Sequence, residues 1–237
     1  MQNKILIVIF TYNEEDKISL VLRNVCEHFK NILVVDNNST DKTTEIVKKF
    51  SVYCIKHKYN LGKSNSMKTG LNFAELNHFQ YVAFMDGDGQ HKVNDLEKIC
   101  KKIYNDNGQL VIGYRENLNN LNFKKKIGTI ILSKFFYLLY KQKIFDIQSG
   151  LRAFNIFEKK KIYWESAGMR HYFADAEITC NAVKNGCRIE QVPIETLSSE
   201  MDIFLKQNRI DSRIYGREKT PFSIWRKVQK KRVSLEQ

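Results

Sequence analysis

Two aspartates one residue apart, Asp86 and Asp88, follow the apolar run Tyr81–Met85. Alternate side chains of an extended chain face the same way, so both carboxylates can reach one cation. Hard oxygen donors in such a pair suit Mg²⁺ or Mn²⁺, with phosphate oxygens completing the shell. A diphosphate leaving group held there gains from the charge as its bond breaks. Gly87 and Gly89 permit a tight turn and a close ligand. Asp-Gly is also an ordinary turn dipeptide, so the pair takes its meaning from its setting, between a hydrophobic run and Gln90-His91.

Two further polar clusters stand in equivalent places. Thr11-Tyr12-Asn13-Glu14 follows Ile5–Phe10, and Asp36-Asn37-Asn38-Ser39 follows Ile32–Val35. Ser39 and Asp41 read as helix caps, whereas Asp36 reads as an acceptor for hydrogen bonds from a base or ribose. Ligands of open α/β sheets bind beyond the carboxyl ends of the strands, so the three clusters converge on one crevice.

The elements that must position them alternate. Apolar runs predict strands at Ile5–Phe10, Ile32–Val35, Tyr53–Ile55, Tyr81–Met85 and Leu110–Gly113. Helices are expected between them: one capped by Asn13, one from Ser39 or Asp41 to Lys49, then Ser64–Leu76 and Leu96–Tyr104. This rhythm implies an α/β fold, a mostly parallel sheet flanked by helices. Later in the chain, Asp175–Asn185 reads as a helix leading into a strand at Arg188–Ile194.

The 237 residues suffice for one sizeable core, and a hydrophobic fraction of 43% excludes global disorder. The formal charge of +13 favours polyanionic partners. Much of it lies between Lys206 and Arg232, where ten Lys or Arg stand against Asp211 and Glu218, a net of +8. No nucleic-acid recognition motif accompanies that charge, so no nucleic-acid partner is expected. The five cysteines include no CxxC pair and suggest neither a disulfide framework nor a zinc site. The first apolar run is too short for a signal-peptide core, and no apolar stretch is long enough to span a bilayer.

Taken in order, these segments resemble glycosyltransferase family 2, of the GT-A fold, and within it the dolichyl- or polyprenyl-phosphate sugar synthases. The resemblance rests on Thr11-Tyr12-Asn13-Glu14, Asp36-Asn37-Asn38-Ser39-Thr40-Asp41, Asn60-Leu61-Gly62-Lys63 and Asp86-Gly87-Asp88-Gly89-Gln90-His91. It continues through Gly113-Tyr114-Arg115 and Asp146-Ile147-Gln148-Ser149-Gly150-Leu151-Arg152-Ala153-Phe154, similar to the family's D-x-x-SGFRAF. The ordered set is specific where single pieces are not.

The resemblance implies a nucleotide-sugar donor, a lipid-phosphate acceptor and inverting transfer. Thr11, Asn13, Glu14 and Asp36 would hold the nucleoside, Lys63 would face phosphate, and Asp86 would meet ribose or metal. Asp88 and Gln90 would hold the metal. Arg115, Ser149 and Arg213 would meet acceptor or donor phosphates, Asp88 and Arg115 carrying the catalysis. His91 reads as a polar neighbour, and Arg152 reads equally as a site residue or as one that stabilises the fold. One departure stands out: Arg213-Ile214-Tyr215-Gly216-Arg217-Glu218-Lys219 has Glu218 where the family pattern has serine.

The resemblance assigns residues 1–205 to the GT-A domain and 206–237 to a basic tail packed partly on it. Residues 123–141 read as an interfacial helix, with Lys124–Lys126 at lipid headgroups and Ile130, Ile131, Phe135, Phe136 and Leu139 in the acyl boundary. A buried core helix is the competing reading. The expected location is the cytoplasm, peripheral at the cytoplasmic face of a membrane, with anionic lipid attracting the tail. Asp175 and Glu177 read as an acidic helix start; in relatives that glycosylate a hydroxyl, an acid in this region acts as general base. Transfer to a saccharide or lipid-linked hydroxyl is therefore the alternative. A sugar-nucleotide nucleotidyltransferase is disfavoured because residues 9–16 lack its glycine-rich loop.

Overall fold

The computed structural model describes residues 2–106, 108–116, 123–164 and 174–195. Strand β1 (Ile5–Thr11) is buried along its whole length, as its unbroken apolar run requires. It pairs in parallel with β2 (Ile32–Asp36) on one side and β4 (Tyr81–Asp86) on the other. β3 (Tyr53–Lys56) forms the more exposed edge beside β2. With β5 (Leu110–Arg115), β6 (Arg152–Asn155) and β7 (Ile189–Ile194), the sheet runs β3-β2-β1-β4-β6-β5-β7. Every strand is parallel except β6, which lies antiparallel between β4 and β5.

Helices α1 (Ile18–His28), α2 (Thr43–Val47), α3 (Gly62–Leu76), α4 (Val93–Asn105), α5 (Phe123–Tyr140), α6 (Lys159–Ile162) and α7 (Ala174–Lys184) complete the described elements, with 3-10 turns at Gln2–Lys4 and Ile156–Glu158. The core is aliphatic, crossed by the edge-to-face rings of Phe10, Phe84 and Phe154, one each from β1, β4 and β6.

All six expected strands form, with ends shifted by one or two residues. β6 was expected only as a motif: Arg152-Ala153-Phe154 is too short and mixed to announce a strand by periodicity. The first helix begins later than expected. Asn13 does not cap it; its φ is +54°, and the chain turns through Glu14–Lys17 before α1 starts at Ile18.

α5 is both buried and exposed. Leu132, Phe136 and Tyr140 pack with Ala176, Cys180 and Val183 of α7 and Ile189 of β7 in a second, smaller core. Ile131, Phe135, Leu138 and Leu139 are more than half exposed. The expectation of Phe136 in an acyl boundary is therefore corrected: it is a core residue, 3% exposed. Among the described residues no helix is long and apolar enough to cross a membrane. The described residues belong to one compact unit, Met1–Thr196. Arg213, Glu218 and the basic tail lie outside them.

Candidate active site

The loops after β1 and β2 are stitched together by side chains answering backbone groups. Asn13 N donates to Ser39 Oγ at 2.9 Å, and Thr40 N donates back to Asn13 Oδ1 at 2.8 Å. Glu14 N donates to Thr43 Oγ1 and Glu15 N to Asp41 Oδ2. Asp36 forms the base of this arrangement. Its Oδ1 accepts from Ser39 N and Ser39 Oγ at 2.8 and 2.6 Å, and its Oδ2 accepts from Thr44 Oγ1.

Asp36 is therefore fully buried, and both its oxygens are spent on its own loop. The residue that turns into the crevice is Asn37, because successive side chains of an extended chain face opposite ways. Asp36 and Asn13, expected at the donor, are thus engaged in shaping the wall, while Asn37 lines the crevice.

That crevice, about 220 Å³, is lined by Thr11, Tyr12, Glu14, Asn37, Lys63 and the Asp86–Asp88 turn, among others. Gly89, at φ +76°, turns the chain back after Asp88. The Asp88 carboxylate accepts from Gln90 N at 3.0 Å, which fixes the turn, while the Gln90 side chain is exposed. Lys63 Nζ lies 2.7 Å from Asp86 Oδ1 and 3.5 Å from Asp175 Oδ2. Asp175 Oδ1 is in turn 3.3 Å from Arg152 Nε, so charges alternate along Asp86, Lys63, Asp175 and Arg152.

The chain's charges tune one another here. Burial alone would raise the Asp86 carboxyl, but Lys63 and His91 outweigh it and hold it well below the usual carboxylate range. Burial works against the Lys63 ammonium, and Asp175 and Asp86 outweigh it, raising Lys63 above its ordinary value. Burial pushes the Glu14 carboxyl up, with Lys17 opposing. His91 Nε2 is 3.7 Å from Asp86 Oδ2, the polar neighbour expected.

Arg115 has a partner that sequence reading did not assign. Its Nε and Nη2 fork onto Asp146 Oδ2 and Oδ1 at 2.6 and 3.0 Å, and Asp146 is 1% exposed. The fork anchors the loop that leads to Ser149 and Gly150. Gly150 packs directly on Asp86 and Lys63; a Cβ there would collide with the Asp86 carboxylate and sit 2.9 Å from Lys63 Nζ. Arg152 is wholly buried. Its guanidinium donates to the carbonyls of Ile147, Ser149 and Asp175, tying this loop to the start of α7.

Four buried side-chain atoms among the described residues lack a hydrogen-bond partner: Thr11 Oγ1, His91 Nδ1, Ser149 Oγ and Asp175 Oδ1. Each belongs to a residue that lines the crevice, contacts the Asp86–Lys63 pair, or neighbours Gly150 in the chain. Asp175 Oδ1 still has Arg152 Nε 3.3 Å away; the other three, orphaned in one place, are those a ligand would satisfy. The residues also fit a hard divalent cation. Asp88 offers carboxylate oxygen in the crevice, while Asp86 is already matched by Lys63. No cluster of three or more His, Cys, Asp or Glu suited to a metal occurs among the described residues. A cation would thus draw its remaining donors from the substrate.

Of the residues expected at the site, Thr11, Glu14, Lys63, Asp86 and Asp88 line this one crevice. Sequence reading assigned no role of their own to Asn37, quoted only within the second polar cluster, or to Asp146. Asp146 stood within a quoted motif, and Asp175 read as an acidic helix start or, for a hydroxyl acceptor, a general base, with no sign of its pairing to Lys63 and Arg152.

The seven-stranded sheet with its crevice at the strand ends is the GT-A fold of glycosyltransferases. A solved structure of glucosyl-3-phosphoglycerate synthase from Mycobacterium tuberculosis with Mg²⁺ and UDP superposes with a TM-score of 0.64 at 15% identity, covering 87% of this chain and 75% of that one. The model of Glycosyl transferase family 2 matches residues 6–166, and the chain belongs to that family. A UDP-N-acetylglucosamine–dolichyl-phosphate N-acetylglucosaminyltransferase of Methanococcus voltae is 34% identical over 83% of this chain and 86% of its own length. A polyprenol monophosphomannose synthase of Mycolicibacterium smegmatis is 23% identical over 84% of this chain and 79% of its own. The protein is a glycosyltransferase.

Proposed function

We propose that this glycosyltransferase moves a sugar from a nucleotide-sugar to a polyprenyl phosphate, by single displacement with inversion, at a membrane surface and with Mg²⁺ or Mn²⁺. The observation that carries the phosphate acceptor is the setting of Asp175. It lies between the cations of Lys63 and Arg152. Each of its oxygens faces one of these cations, so neither is turned to take a proton from an acceptor hydroxyl, and a phosphate monoester, already anionic, needs no base. The names of the relatives support the same acceptor class.

Roles follow from position. Tyr12, Glu14 and Asn37 would hold the nucleoside, and Thr11 the ribose side of the donor. Asp88, with oxygens of the donor diphosphate, would hold the cation, whose charge stabilises the departing nucleoside diphosphate. Lys63 would add its own positive charge beside the diphosphate. Ser149 Oγ, lacking a partner, would meet a phosphate oxygen. Arg115 would act by holding the 146–150 loop, its fork on Asp146 leaving the rest of the guanidinium for an acceptor phosphate. The exposed apolar face of α5, with the basic tail, would hold the protein against anionic lipid.

The test is a donor screen. Purified protein, Mn²⁺ or Mg²⁺ and a polyprenyl phosphate are incubated with a panel of UDP- and GDP-sugars, and nucleoside diphosphate release is read. Release that depends on the lipid phosphate is the expected result. Release that depends instead on an added saccharide would favour a hydroxyl acceptor.

A further inference from the structure

Asn37 is fixed in the crevice wall by more than its own strand. Its Oδ1 accepts from Leu61 N at 2.8 Å and lies 3.1 Å from His57 Nδ1. Its Nδ2 donates to Asn60 Oδ1 at 2.7 Å. A backbone N–H can only donate, so the amide oxygen of Asn37 must face Leu61. His57 Nδ1 faces that same oxygen and must therefore carry a hydrogen.

The far side of the imidazole allows this in either charge state. His57 Nε2 is 2.9 Å from Thr69 Oγ1, which is also 3.0 Å from Asn65 O. With the ring neutral, the Thr69 hydroxyl donates to Nε2. With the ring charged, Nε2 donates to Thr69, and the hydroxyl turns to Asn65 O. Burial pushes the His57 imidazole below its ordinary value, with Asp36 pulling the other way. His57 itself does not line the crevice.

We infer that His57 is a positioning residue for donor binding: its Nδ1–H holds the Asn37 amide so that the remaining Nδ2 hydrogen is offered to an oxygen acceptor on the donor's nucleoside. The inference rests on the nucleotide-sugar reading of the crevice. It assigns a polarity to that wall. Asn37 spends its oxygen on the protein and presents a donor, so a ligand group that is itself a donor would find no partner there. Leu61 N enforces the same sense from the backbone, and His57 adds the second hydrogen bond that keeps the amide from turning.

The test compares His57→Ala, His57→Asn and His57→Gln with the wild type. An asparagine amide nitrogen can stand in for imidazole Nδ1 and reach Asn37; a glutamine nitrogen stands in for Nε2 and reaches only Thr69. Binding of UDP, GDP, ADP and CDP with Mn²⁺ is measured by calorimetry, and kcat at saturating donor is measured with the sugar nucleotide of the preferred base. His57→Ala and His57→Gln should bind the preferred diphosphate about fivefold more weakly, the worth of one hydrogen bond. Their kcat should stay within about twofold, and His57→Asn should bind within about twofold of wild type. Wild-type affinity in His57→Ala, equal losses in the Asn and Gln variants, or a loss confined to kcat would overturn the inference while leaving the nucleotide-sugar reading intact. A wild type that binds none of the four diphosphates would overturn that reading and the inference with it.

Discussion

Lys63 Nζ stands 2.7 Å from Asp86 Oδ1, so the first aspartate of the β4 pair already has a cation supplied by the chain itself. Its folded carboxyl value is depressed, so its contribution to stability is complete above the unfolded value of about 3.9 and drains away as pH falls toward the folded value. The folded value of Lys63 is raised, so its contribution is complete below about 10.4 and is lost only as pH climbs toward the folded value. The pair therefore supports the fold evenly between about pH 4 and 10. Lys63→Met should lower stability by about 1–3 kcal/mol at neutral pH. In urea titrations its deficit should shrink below about pH 4. A deficit unchanged at pH 3 would contradict the pairing.

Asp88 is predicted to separate function from stability. Its carboxylate lies in the crevice and supports only its own turn through Gln90 N. Asp88→Asn should reduce transfer by at least about a hundredfold, as expected when a group that stabilises the leaving charge is lost. Its melting temperature should stay within a few degrees of wild type. Transfer in excess EDTA should fall to a similar level and return when Mn²⁺ is restored.

Arg115 and Asp146 should behave as one unit. Arg115→Lys keeps the charge but cannot reproduce the fork, and Asp146→Asn leaves a guanidinium without its counter-charge. Each should cost about 1–3 kcal/mol in chemical denaturation. The double variant should cost less than the sum of the two. Additive losses would show that the fork contributes little.

Asp175→Asn distinguishes the two acceptor classes. With a phosphate acceptor, kcat should change by no more than about fivefold, reflecting only disturbance of Lys63 and Arg152. A general base for a hydroxyl would show a loss of about 10²–10⁴ with the fold intact. Circular dichroism and transfer assays on the same preparation decide between them.

The outer face of α5 should carry membrane attachment. Phe135 and Leu138 are 56% and 64% exposed, so Phe135→Glu and Leu138→Glu should leave the fold undisturbed. Each should weaken co-sedimentation with anionic vesicles by about tenfold or more, the worth of one buried side chain. Wild-type binding should also weaken at high salt, as exposed charges are screened. Unchanged sedimentation of both variants would place the contact elsewhere.

Much of this architecture was legible beforehand because it is local. Parallel strands buried on both faces are written as unbroken apolar runs, and β1, β2 and β4 could hardly be read otherwise. The convergence of Thr11, Glu14, Asp86 and Asp88 followed from their places at strand ends. Pairings between distant residues were hidden. Nothing local joins Arg115 to Asp146 or Lys63 to Asp175, since such partners are chosen by packing. Asp36 misled for a different reason. It looked as available as its neighbour Asn37, and only the burial of Ser39 and Thr44 beside it reveals that its charge organises the loop.

The placement of β6 has a consequence for how the protein must fold. β5 precedes β6 in the chain, yet β6 separates β5 from β4 in the sheet. The two parallel halves therefore cannot join as the chain is made; the later antiparallel strand must enter between them. Such non-local pairing is slow, because loop closure precedes any gain from contacts. The residues leading into β6 are Ser149, Gly150 and Leu151, so the insertion that closes the sheet also brings Gly150 against Asp86 and Lys63. Helix formation should run ahead of this step. On refolding, far-ultraviolet circular dichroism should recover before nucleotide binding does, and the crevice should be among the last parts of the molecule to exist.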